Sequence, residues 1–219
     1  MPSPVKRTYD ASRRQAQARE TQRHIADAAR DLFIERGWVT TSIRDVAERA
    51  GVSVQTIYNA FEGGKAGIFS RVMDIVVVGD DEPLALAERP EYQAMFETEN
   101  PDQMLRTLVG ITGALFRRME PLMPTIRAAV AADPAIAEGW RAYYGQARYD
   151  GTAAVMARLF ELGALAPKLD VSRATDIVWT VLSVETYEAL VIARAWSADD
   201  YEAWVLDTLL ASLLRSRSR

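Results

Sequence analysis

The sequence predicts an all-α protein with a small helix-turn-helix head and a larger helical body. Three observations carry this. Apolar residues recur at three- and four-residue spacing in nearly every segment, and no stretch alternates in the manner of a strand. Most segments also begin or end at Ser, Thr, Asp, Asn, Gly or Pro, the residues that start and stop helices.

Taken in order, Ile25, Ala28, Ala29, Leu32 and Phe33 share one helical face, and "ERG" at 35–37 predicts a stop at Gly37. Thr41 or Ser42 caps the next helix, which aligns Ile43, Val46, Ala47 and Ala50. Gly51 makes a turn, and Ser53 caps a short helix whose Val54, Ile57 and Phe61 are expected in the core. A fourth helix starts near Lys65 with Ile68, Val72, Ile75 and Val76. "GDDEP" at 79–83 reads as a helix stop, followed by a short helix and loop. Asn100-Pro101 opens a helix to about Met119, since proline suits the first helical position. Pro121 and Pro124 interrupt it, a shorter helix covers 124–132, and Asp133-Pro134 starts one reaching about Leu162. Two more follow, about 171–196 and 199–215.

Composition narrows the class. Hydrophobic residues make up 49% of 219 positions, enough for a sizeable core, and there is no cysteine, which removes disulfides, thiolate catalysis and zinc-thiolate sites. The first residues, "MPSPVKRTYDASRR", lack the apolar run of a signal peptide, so a cytoplasmic location is expected. Ile177–Ala193 is apolar almost all round but carries Glu185 and Glu188, which argues against a membrane span and for a buried helix. His24 is the single histidine and has no neighbouring ligands by spacing, so no metal site is expected. There is no GxSxG, HExxH, P-loop or GxGxxG pattern, so neither an enzyme nor a cofactor is expected.

Charge is divided unevenly under a net −4. Residues 1–70 hold 11 basic and 8 acidic side chains, whereas residues 71–219 hold 15 and 22. A basic head on an acidic body suits a polyanion that meets the head alone. The residues facing outward from the second and third helices name that polyanion. Around "GVSVQTIYNAF", a wheel places Gln55, Thr56 and Asn59 opposite Ile57, with Tyr58 at the edge, and the preceding helix leaves Arg44 and Glu48 outward. Two short helices joined through a glycine turn form a helix-turn-helix, whose second helix fits the DNA major groove. Gln can pair with adenine and Arg with guanine through two bonds each, while Thr and Tyr hydroxyls anchor phosphates.

Residues 23–69, "RHIADAARDLFIERGWVTTSIRDVAERAGVSVQTIYNAFEGGKAGIF", resemble the DNA-binding head of the tetracycline-repressor family. The shared features are the Ala-Ala-x-x-Leu-Phe run, Gly37-Trp38, Thr41-Ser42 before Ile43, Val46-Ala47, Ala50-Gly51-Val52-Ser53, Thr56, Tyr58, Phe61 and Lys65. The resemblance implies a three-helix head, a divergent helical effector domain, a homodimer through the last two helices, and repression relieved by a small molecule. It implies that Arg44, Gln55 and Asn59 read bases, and that Thr41, Ser53, Thr56, Tyr58 and Lys65 contact phosphates. One departure is Gly63-Gly64, which puts Lys65 four residues after Phe61 rather than three, with Ala66 where an acid is common.

The expected organisation is a flexible basic arm at 1–20 with Lys6, Arg7, Arg13, Arg14 and Arg19, the head at 21–67, and an effector-binding and dimerisation body at 68–219. "RSRSR" at the C-terminal end lies at the expected dimer end and is given no DNA role. In the body, Met104, Phe116, Trp140, Tyr144 and Trp179 are core by default. The resemblance makes them, with Arg148 and Glu185, candidates for an apolar effector site with a few polar groups. The two terminal helices each carry two apolar sides, more than one domain core requires, which points to a twofold subunit interface. The expected function is a regulator that binds a palindromic double-stranded operator as a dimer and is released by a small, largely apolar effector. The alternative is a helix-turn-helix regulator without an effector.

Overall fold

Helix α1 (Val5–Thr40) is interrupted where the sequence requires it, because Gly37 adopts φ 78°, ψ 178° and leaves the helical path. The computed structural model describes residues 5–80, 82 and 85–215, with side chains from residue 16 onward. The expected arm therefore begins, from Val5, as part of α1, and the side chains of Lys6, Arg7, Arg13 and Arg14 lie outside the described residues. Then follow α2 (Ile43–Arg49), α3 (Val54–Ala60), α4 (Lys65–Val78), α5 (Pro90–Glu97), α6 (Pro101–Met119), α7 (Met123–Ala132) and α8 (Pro134–Trp140). A π-helical stretch, Arg141–Ala147, joins α8 to α9 (Arg148–Glu161); α10 (Val171–Val181), α11 (Val184–Tyr187) and α12 (Ala198–Leu213) are the remaining α-helices among the described residues. The one extended pairing among the described residues is a single bridge, Leu165 to Leu214.

These helices sort into two units, one comprising the chain through Asp81 with Pro121–Ala137, the other Glu82–Glu120 with Glu138 onward. In the first, Ile25, Leu32, Phe33, Val46, Ile57, Ile68 and Val72 are almost wholly buried. Phe33, Trp38 and Phe69 form its aromatic centre, with ring centroids 5.5–6.0 Å apart. The break at Gly37 leaves carbonyls of the last α1 turn without helical partners. Thr41 Oγ1 donates to Gly37 O at 2.8 Å, and Thr125 Oγ1 of α7 donates to Phe33 O at 2.6 Å. Thus α7, although far along the sequence, is fastened to α1 where α1 needs a donor. Val54, expected in the core, is 39% exposed because it opens α3, one turn before that helix reaches the core at Ile57.

In the second unit α6 packs on α12, α9 on α10, and α5 on α6. Gly113 lets Glu202 lie against α6; a Cβ there would stand 2.0 Å from Glu202 Oε1. Glu202 and Asp199 thereby reach the Arg117 guanidinium, at 2.6 and 2.8 Å. No described helix is long and apolar enough to cross a membrane.

The expected single helix at 171–196 is corrected by the structure. It divides at Leu182 (φ −92°, ψ 57°) and Ser183, and resumes as α11 and a π-helical turn, Glu188–Ile192. Ser183 causes the restart by turning its hydroxyl to the Thr186 N–H at 3.1 Å, a local bond that competes with the helix. The expected helix at 133–162 persists, with its middle turns widened into the π form.

Candidate nucleic-acid interface

The face built by α2 and α3 begins with two caps. Ser42 Oγ accepts the Asp45 N–H at 3.2 Å while the Asp45 carboxylate accepts the Ser42 N–H at 2.8 Å, a reciprocal box. The Ser42 hydroxyl, then its N–H, hold the Asp45 carboxyl below its ordinary range. Gly51 turns the chain at φ 62°, and Ser53 Oγ caps α3 by accepting the Thr56 N–H at 3.0 Å. From α1, His24 Nε2–H donates to Ala50 O at 3.0 Å and Gln22 Nε2–H to Ala60 O at 2.8 Å. These bonds hold the C-terminal ends of α2 and α3 to one helix. Neither residue was assigned a role from sequence, because their partners lie 26 and 38 positions away.

On this frame Arg44, Gln55, Tyr58 and Asn59 are exposed. Ser53 is exposed and Thr56 half-buried, their hydroxyls 2.8 Å apart. Gln55 Nε2–H donates to Asn59 Oδ1 at 3.0 Å. The two remaining candidates, Thr41 and Lys65, are engaged within the head. Thr41 is 1% exposed, with its hydroxyl donating to Gly37 O and Leu32 O. The Lys65 ammonium donates to Trp38 O and sits 4.1 Å above the Trp38 ring, where burial lowers its pKa. Two glycines precede it. Gly63 (φ 78°) and Gly64 (φ 58°, ψ −118°) take conformations that side chains resist.

In the second unit, five of the seven effector candidates come together. Trp140 stacks on Tyr144 at 4.7 Å, and the Arg148 guanidinium lies 4.0 Å over Trp179 and 5.1 Å over Tyr144. Arg148 Nη2 donates to Trp179 O at 2.9 Å and Leu182 O at 2.6 Å, the carbonyls freed where α10 stops. The Tyr144 hydroxyl accepts the Val184 N–H at 2.8 Å and donates to exposed Glu185 Oε2 at 3.4 Å; burial pushes its pKa up to about 12. Phe116 instead packs on Tyr187 and Tyr201, at 5.4 and 6.5 Å, and Met104 is wholly buried.

Residues 25–72 match the family of bacterial regulatory proteins, tetR family. The chain is 42% identical over 66 residues to the transcriptional regulator AlkX of Mycobacterium tuberculosis, covering 30% of this chain and 29% of that one. It is 34% identical over 99 residues to the regulator AcrR of Shigella flexneri, covering 45% and 43%. The chain therefore spans less than half the length of these curated relatives. Fold likeness reaches further. SmeT, the repressor of the Stenotrophomonas maltophilia multidrug efflux pump SmeDEF, superposes with TM-score 0.61 at 20% identity over 89% of this chain and 90% of that one. A SmeT–triclosan complex gives TM-score 0.68 at 20% identity over 90% and 92%. The head, residues 25–72, thus carries the sequence of the tetR family of bacterial regulatory proteins, and the helical fold of the SmeT structures is shared along nearly the whole chain.

Proposed function

We propose that the protein is a DNA-binding transcriptional repressor that acts in the cytoplasm, grips a palindromic operator as a homodimer, and is released by a small, largely apolar effector. The observation that carries the DNA-binding part is the α2–α3 face. Arg44, Gln55, Tyr58 and Asn59 stand exposed on short helices that caps, glycine turns and two bonds from α1 hold in place. Base contacts fall to Arg44, Gln55 and Asn59, and phosphate contacts to Tyr58, Ser53 and Thr56. Footprinting checks this: a twofold dimer protects a near-palindrome with half-site centres about 34–36 Å apart or a multiple of that. A single site lacking dyad symmetry contradicts it.

The dimer is supported by apolar surface on the last two helical segments and the connection between them. Ile192 is 50% exposed, and Trp196 and Trp204, each 37% exposed, meet edge to face at 6.2 Å. Exposed tryptophans of this kind suit an interface. Sedimentation at low micromolar concentration should give twice the 24.4 kDa chain mass.

The effector is supported by the half-buried aromatic cluster around Arg148, and by a neighbour of the same fold having been solved with triclosan. An effector that weakens operator binding about 10- to 100-fold must itself bind about 10- to 100-fold more weakly to the operator complex, a coupling of about 1.4–2.7 kcal/mol. Tryptophan emission from Trp140 and Trp179 reports the titration. Equal affinities with and without operator favour the second reading, a regulator without an effector. One observation supports that reading: Arg148 and Tyr144 are already engaged in closing the α10–α11 break.

A further inference from the structure

Gln55 and Asn59 are one turn apart on α3, both exposed, and joined by a bond that uses one amide hydrogen of Gln55 and the carbonyl of Asn59. That bond determines what each amide has left to offer. Gln55 keeps its Oε1 acceptor and one Nε2–H donor, side by side at the end of the chain. Asn59, with its oxygen engaged, keeps two Nδ2–H donors. A glutamine alone on a surface rotates freely about three side-chain bonds, and ordering it on binding costs free energy. Here the neighbour one turn on does the ordering beforehand.

We propose that Asn59 is a positioning residue for Gln55, and that the two read the major groove as one unit with a specified base preference. This rests on the DNA-binding reading above. The acceptor–donor pair left on Gln55 complements the adenine edge, where N6–H donates to Oε1 and N7 accepts from Nε2–H. The donors left on Asn59 complement a base that offers only acceptors in reach, the O6 and N7 of guanine or the O4 of thymine, and they do not suit cytosine, which presents an N4 donor. Four residues of helix rise about 6 Å, and base pairs are spaced about 3.4 Å. Each half-site should therefore hold an adenine and, one or two steps away, a guanine or thymine.

The alternative direction, Asn59 donating to Gln55, leaves Gln55 with donors only and Asn59 with an acceptor–donor pair. It makes different predictions for one substitution. Asn59→Asp keeps an acceptor at position 59 and so keeps Gln55 oriented, although its charge weakens binding to every duplex. Asn59→Ala removes the acceptor.

The test is selection from a randomised duplex library with the full-length protein, followed by sequencing, for wild type, Asn59→Asp, Asn59→Ala and Gln55→Ala, with circular dichroism and melting to establish that each is folded. Wild type should enrich a palindrome with adenine at one position of each half-site, by about 5- to 150-fold over other bases. Gln55→Ala should erase that preference. Asn59→Ala should weaken adenine preference at the Gln55 position about two- to tenfold, the worth of one hydrogen bond. It should also lose the guanine or thymine preference nearby. Asn59→Asp should retain the adenine preference while lowering affinity for all sequences. Adenine preference unchanged in Asn59→Ala, or erased in a folded Asn59→Asp, overturns the positioning role. A wild-type protein that enriches no sequence overturns the DNA-binding reading itself, a different outcome from either.

Discussion

Substituting Gly64 by alanine isolates what the second glycine of Gly63-Gly64 contributes to the head. Gly64 has φ 58° and ψ −118°, the conformation of the first central residue of a type II′ turn, which L side chains resist. Holding a non-glycine residue there costs about 1–3 kcal/mol. The new methyl would also lie 3.1 Å from Ile43 Cδ1 and 3.2 Å from Tyr58 Cε1, close enough to require small shifts of both. Against this, the loss of glycine's freedom in the unfolded chain returns about 0.4–1 kcal/mol. The net is a destabilisation of about 1–2 kcal/mol, or about 4–8 °C per kcal/mol for a unit of this size. Gly63→Ala is the control, since a Cβ there meets only Gly67 N at 3.7 Å and the strain of φ 78° stands without crowding. Amide exchange across 43–72 reads the head separately from the second unit. Because Tyr58 is the residue crowded, operator affinity should fall further for Gly64→Ala than for Gly63→Ala. Equal stability and equal affinity for the two variants would refute the assignment of this turn.

Tyr58→Phe should lower affinity about equally on operator and random DNA, as loss of a phosphate contact does. Lys65→Ala should destabilise the head by about 1–2 kcal/mol through loss of the Trp38 contact. It should leave the salt slope of DNA binding unchanged, whereas a phosphate-binding lysine would reduce it by about 1. Arg148→Met removes charged hydrogen bonds to Trp179 O and Leu182 O and should cost about 1–3 kcal/mol, with faster amide exchange at 182–187. The Asp45 carboxyl is held below its unfolded value, so its contribution is present in full at neutral pH. That contribution is lost as pH falls past the ordinary carboxylate range toward the lowered one. Asp45→Asn should flatten the acid limb of head stability, measured by melting at a series of pH values.

Much of the fold was legible because its signals are local. Gly37, Ser53, Asn100-Pro101 and Pro134 each act on the residues beside them, and each starts or stops a helix where expected. The break at Leu182–Ser183 was not legible. The apolar pattern runs on through it, and what stabilises it comes from Arg148 and Tyr144, more than thirty positions away. The same distinction divides the interface. Exposure of Arg44, Gln55 and Asn59 followed from the helical wheel, which put Tyr58 only at the edge of the apolar arc. Burial of Thr41 depended on the carbonyls freed at Gly37, and capture of Lys65 on the Trp38 ring, neither of which spacing reveals. In the body, Trp140, Tyr144, Arg148, Trp179 and Glu185 were chosen for residue type and the family resemblance, and the widened turns at Arg141–Ala147 help decide which of them meet.

The central claim is that the α2–α3 face reads DNA sequence, and its most direct measurement is a pair of affinities at one salt concentration. The selected operator and a shuffled duplex of the same composition are titrated with wild type and with the double variant Arg44→Ala, Gln55→Ala. Wild type should prefer the operator by about 10³-fold or more. The double variant, still folded and dimeric, should lose about 2–6 kcal/mol of that preference while binding the shuffled duplex almost as before. A double variant that keeps the wild-type preference would contradict the account.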